Sequence, residues 1–141
     1  MLVALVVITV GMLGVAVLYV EGLRMNRTSL YRTAAIAMAA DMAERIRANQ
    51  GTNQGADYIG IGPGQDNNCN DDDMATTCTS QELAADDWFH WLDKLQVYLP
   101  AGAGAEITRE LSNDMQQFNI SLDWPEIGAE ERVTYTLTMQ L

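Results

Sequence analysis

From Met1 to Val20 the chain carries no charge, and Glu21 is its first ionised side chain. As a helix, a run of that length spans about 30 Å, the thickness of a bilayer hydrocarbon core. No proline occurs before Pro63, so nothing in the chain obliges the helix to stop where the apolar run stops. The segment from Met1 to about Asn49 therefore reads as one helix, roughly 70 Å long at 1.5 Å per residue. The whole chain has 141 residues, which leaves room for one modest domain beside such a helix.

The apolar run has three readings. A cleaved secretory signal calls for a basic segment ahead of it and a small-residue cleavage site after it. Neither is visible, because the run opens the chain and continues into Tyr19-Val20-Glu21-Gly22. The other two are a simple anchor and an anchor that later becomes the buried core of an assembly; length does not separate them. Arg24, Arg27 and Arg32 form a basic flank, but the charge rule for orientation compares two flanks and carries little weight with one. Gly11, Gly14 and Ala16 are small residues within or beside the run. Small residues let helices approach closely, while glycine also weakens a helix locally; both readings of the glycines stay open.

Beyond Val20 the helix turns amphipathic. Leu23, Leu30, Ala34, Ala37 and Asp41 fall on one helical line, with Tyr31, Ala35, Met38, Met42 and Ile46 beside it. The alanines between Ala34 and Ala43 favour helix, and Asn49-Gln50-Gly51 supplies a stop. From Gly51 to Thr79 the composition shifts to Gly, Asn, Asp and Thr, a long surface loop with a short ordered piece around Tyr58-Ile59-Gly60-Ile61. Thr79-Ser80-Gln81-Glu82 reads as a capping box opening a second helix. Along it Trp88, Trp91, Leu92, Leu95 and Leu99 recur at helical spacing, and Pro100-Ala101-Gly102 ends it. The remainder alternates with period two: a first strand over Ala105 to Leu111, a second through Phe118, Ile120, Leu122 and Trp124, a third through Val133, Tyr135, Leu137 and Met139. Consecutive strands with short links pair antiparallel. Their apolar face needs a cover, and the amphipathic half of the long helix is the natural one.

This order of elements resembles the type IV pilin superfamily, and within it the minor pilins of the PilV type. The segments that carry the resemblance are Met1-Leu2-Val3-Ala4-Leu5-Val6-Val7-Ile8, Leu23-Arg24-Met25-Asn26 and Asp41 through Asn49. They continue with Cys78 through Leu83-Ala84, Trp91 and Leu99-Pro100 to Gly102 and Gly104, and with Ile120-Ser121-Leu122-Asp123-Trp124. The resemblance implies an α+β fold with a long N-terminal helix packed on a small antiparallel sheet and a second, short helix. Residues 1–22 would be the transmembrane and filament-core half of the helix, and residues 23–141 the globular domain. Members of the superfamily carry a short leader, a modified first residue and a Glu ahead of the apolar run. This chain begins just beyond the place of that Glu, so none of these features is carried over.

The remaining candidate sites are few. Cys69 and Cys78 enclose a polar loop, and in an oxidising compartment they are expected to form a structural disulfide. Two thiols with one distant histidine make a poor zinc site. Asp66, Asn68, Asn70 and Asp72 alternate like the start of a calcium loop, but Asp71 stands where the central glycine belongs and Thr77 where the last acidic ligand belongs. A solvated acidic loop is the expected reading. His90, the chain's single histidine, is expected to be a packed or surface residue, since no catalytic motif accompanies it. Trp88, Trp91 and Trp124 are expected in the core or at a subunit contact. No catalytic, cofactor or metal residue is expected, and the chain is not expected to be an enzyme. A net charge of -11, from 8 basic and 19 acidic residues, disfavours nucleic acid as a partner.

The resemblance then implies a structural subunit that sits in the inner membrane with its domain in the periplasm, and afterwards in an extracellular filament. Its partners would be other minor pilins, major pilins and a tip adhesin. Two alternatives share the same sequence features: a pseudopilin of a type II secretion system, and a single-pass membrane protein with a periplasmic ligand-binding domain.

Overall fold

The structure, a computed structural model, describes residues 2–51, 53–69, 77–112, 115–126, 128 and 131–141. Helix α1 (Leu2–Ala48) leads to a single 3-10 turn (Ala56–Tyr58), helix α2 (Ser80–Tyr98) and strands β1 (Gly104–Ser112), β2 (Met115–Trp124) and β3 (Val133–Gln140). The strands form one antiparallel sheet in the order β1-β2-β3. This is an α+β, pilin-like layout.

Helix α1 runs without a break because no residue in it forces one. It ends where Gly51 takes a positive φ of 45°, a conformation that costs glycine no Cβ clash. A Cβ at Gly51 would stand 2.8 Å from the Ser80 Cβ, so this glycine also lets the start of α2 come close to the end of α1. Asn49 Nδ2 ties the same corner by donating to the Ser80 carbonyl at 2.7 Å. Helix α2 opens on the expected capping box: the Thr79 hydroxyl accepts from the Glu82 N–H, and the Thr79 N–H donates to the Glu82 carboxylate at 2.8 Å. The backbone donor of Thr79, and then its hydroxyl, hold the Glu82 carboxyl below its ordinary range.

One face of β2 is buried from Phe118 onward: Phe118, Ile120 and Leu122 are inaccessible and Trp124 nearly so. Opposite lies a stripe of α1 made of Ala35, Met38, Ala39, Met42, Ala43 and Ile46. Three of the six are alanines, which bring the helix close to the sheet. Trp91 and Leu95 of α2 complete the core, and Trp91 Nε1 donates to the Met38 carbonyl at 3.0 Å. The outer edge of β1 is shielded locally by Gly60, which exchanges two backbone hydrogen bonds with Ile107 at 2.9 and 2.8 Å.

A polar knot ties α1, α2 and the 3-10 turn. Asp87, almost fully buried, accepts from Arg45 Nη1 and from the Tyr58 hydroxyl. Trp88 Nε1 donates to the Tyr58 carbonyl at 2.9 Å, and Arg45 Nε donates to Asp41 at 3.1 Å. Burial, and then the neighbouring Asp87, push the Tyr58 phenol well above its ordinary pKa. Burial pulls Arg45 the other way, but Asp87 and Asp41 outweigh it and the guanidinium stays raised. Among the described residues no buried side-chain polar atom lacks a hydrogen-bond partner.

Two expectations need correction. The core-facing line of α1 is the one through Ala35, Met38, Met42 and Ile46; Leu23 and Leu30, on the other line, are half or more exposed. The sheet reaches only so far up the helix, and no α1 residue before Thr28 is shielded. On β3 the apolar face is only partly covered, with Val133, Tyr135 and Leu137 half-buried and Met139 buried; an edge strand has a neighbour on one side only. Trp88, Trp91 and Trp124, expected in the core or at a subunit contact, are all core residues.

Candidate functional site

The feature that most demands a partner is the first part of α1. Between Leu2 and Val20 stand thirteen Val, Leu, Ile and Met side chains, none less than 52% exposed. Full burial of such a side chain contributes about 1.5–3 kcal/mol. Left in water, the segment forgoes on the order of 20 kcal/mol or more, which exceeds the ~5–15 kcal/mol net stability of an ordinary domain. The helix is long and apolar enough to cross a membrane, and none of its apolar window is buried in the protein. The Thr9 hydroxyl within it is satisfied by its own helix: it donates to the Val6 carbonyl at 2.8 Å, as an apolar surrounding requires.

The projecting segment includes Gly11, Gly14 and Ala16. A Cβ added at Gly11 or at Gly14 would meet nothing within 4 Å, so their small size has no consequence within the chain itself. Three residues apart on an unbroken helix, the glycines share a face; Ala16, two residues beyond Gly14, does not share it. The continuous helix thus brings two of the three small residues together.

The apolar surface does not stop at Val20. Leu30, Val97 and Tyr98 are 61%, 75% and 58% exposed and line, with Ala34 and Ala37, an open groove where α1 passes the end of α2. The helical line that the sheet leaves uncovered runs into this groove.

Cys69 and Cys78 are bonded, with Cα atoms 5.9 Å apart, so the bridge fastens the long loop beside the N-cap of α2. Of the calcium-like pattern, Asp66 and Asn68 are described, and the Asp66 carboxylate accepts from the Asn68 N–H at 3.1 Å. Asn70, Asp71, Asp72 and Asp73 lie outside the described residues. His90 is half-exposed on α2, its Nε2 3.8 Å from a carboxylate oxygen of Asp66 and 3.8 Å from one of Asp86. Asp86 has no place in the sequence reading. The available signal was its spacing, since Asp86 and His90 are four apart on a helix and share a face. No protein-family model, curated protein or solved structure matches the chain.

Proposed function

We propose that the chain is a minor subunit of a type IV pilus, with a structural role in priming assembly or at the filament tip. The observation that carries this reading is the continuity of α1. An anchor needs only hydropathy, and a flexible joint between anchor and domain would serve it. Here one helix is both the exposed apolar cylinder and part of the domain core, so the domain is held at a fixed angle to the apolar segment. A helical filament needs that rigidity, because every subunit must turn its domain outward in the same way while its apolar segment packs at the axis. Before assembly the same segment rests in the inner membrane with the domain in the periplasm. Afterwards it is covered by the helices of neighbouring minor and major pilins, driven by the apolar burial reckoned above. The groove beside Leu30 and Tyr98 extends the coverable surface onto the domain.

Mass spectrometry of filaments sheared from cells tests the proposal. The reading expects this chain among the filament proteins. Its recovery from the inner membrane alone, with filaments free of it, would refute the reading and favour a single-pass membrane protein.

A further inference from the structure

We infer that Asp66, Asp86 and His90 form a binding site for a transition-metal dication of the zinc type. One ligating atom from each lies within 4.8 Å of the others, and His90 Nε2 is 3.8 Å from each carboxylate oxygen. Zinc bonds imidazole nitrogen and carboxylate oxygen at about 2.0–2.2 Å. Closing the three donors onto such an ion needs movements of roughly half an ångström, and two of them, Asp66 and His90, are half-exposed side chains with room to move.

The three donors arrive by different routes. Asp86 and His90 are one helical turn apart on α2, which aims both at one point. Asp86 is inaccessible to solvent. Its Oδ1 accepts from the Asn67 N–H at 2.7 Å, while its Oδ2 faces the imidazole. A carboxylate oriented in this way by a backbone donor is the outer-shell support that metal ligands commonly have. Asp66 comes from the loop, which is clamped along α2. The Gln65 N–H donates to the Ala85 carbonyl at 2.9 Å, and Asn67 Nδ2 donates to the Glu82 carbonyl at 2.9 Å. Gly64 permits the approach: its φ is +77°, and a Cβ there would lie 2.3 Å from the Ala85 carbonyl oxygen. The Cys69–Cys78 bridge fastens the end of the same segment. The loop that looked like half a calcium site thus delivers one carboxylate to a different site, on the helix.

The donor set selects the class of ion. Calcium takes six to eight oxygens and has little use for imidazole. One nitrogen and two carboxylate oxygens suit zinc and its neighbours in the first transition row. The half-exposed face leaves room for water to complete the coordination.

The test uses the whole chain in detergent micelles, disulfide intact and stripped of metal, titrated with zinc chloride by calorimetry. One equivalent should bind, and the Nε2 resonance of His90, the chain's single histidine, should shift with it. His90→Gln and Asp66→Asn, both at half-exposed positions, should each weaken binding at least tenfold while leaving the metal-free melting temperature unchanged. The acidic run Asp71-Asp72-Asp73 is kept in both variants, so zinc held there would survive the substitutions. Undiminished affinity in His90→Gln would overturn the site. So would failure of the wild type to bind zinc at millimolar concentration, or binding of calcium chloride as tightly as zinc.

Discussion

Replacing Leu122 with alanine tests the core directly, because the structure sets a companion beside it. Leu122 is inaccessible, sits within β2 and faces the alanine-rich stripe of α1. Its truncation removes buried methyl groups from between a helix and a sheet that are already in close contact and can collapse only a little further. The cost should be about 2–5 kcal/mol, the range for buried leucine truncated to alanine. For a domain of this size that lowers the melting temperature by about 10 °C or more. Leu137 lies on the same face of the sheet but on the edge strand β3, where it is half-buried. Half the transfer term is at stake there and water can fill the gap, so Leu137→Ala should cost only about 1–2 kcal/mol. Thermal and urea melts followed by tryptophan fluorescence would read both, since Trp88, Trp91 and Trp124 are core residues. Equal costs at the two positions, or a loss under about 1 kcal/mol at Leu122, would refute the assignment of β2 as the covered centre of the sheet.

Tyr58 should make stability fall in alkali. Its pKa is raised in the folded protein, so the folded state holds the proton more tightly than the unfolded chain. The resulting stability is intact below about pH 10 and is lost as pH rises above that. Tyr58→Phe should flatten the alkaline decline in pH-dependent melts, at a cost of about 1–2 kcal/mol near neutral pH from the lost hydrogen bond to Asp87; an unchanged alkaline slope would contradict it. Replacing Cys69 and Cys78 with serine opens a short loop, of sequence separation 9, and should destabilise the domain by about 2–3 kcal/mol in the chain-entropy account. Thiol alkylation of native material should label neither cysteine until a reductant is added.

Much of the fold was legible because its signals are local. The absence of proline before Pro63, the Thr79–Glu82 box and the period-two alternation from Phe118 to Trp124 each mark an element from its own residues. What was not legible depends on where elements meet. The two candidate lines of α1 are both apolar; the face that α1 turns to the sheet and α2, and how far the sheet reaches along it, decide that Ala35, Met38, Met42 and Ile46 are covered and Leu23 and Leu30 are not. The half-coverage of β3 follows from its place at the sheet's edge, which alternation cannot report. The Arg45–Asp87–Tyr58 knot joins residues up to 42 apart, and Asp66 meets His90 only because the loop lies along α2. Gly11 and Gly14 sit at the opposite limit: their spacing was visible at once, but nothing within the chain packs against them.

The central claim is that the apolar half of α1 is a packing surface with a shape, beyond being an apolar anchor. Gly11→Leu and Gly14→Leu together keep the segment apolar, and nothing within the chain obstructs the added bulk. Membrane insertion should therefore be unchanged. Close approach of a neighbouring helix to the face the glycines share should be blocked. The measurement is the ratio of this chain in sheared filaments to this chain in the inner membrane, wild type against the double variant. The account predicts a normal membrane level with a ratio lowered several-fold. An unchanged ratio with normal piliation would contradict it and leave the segment as a generic anchor.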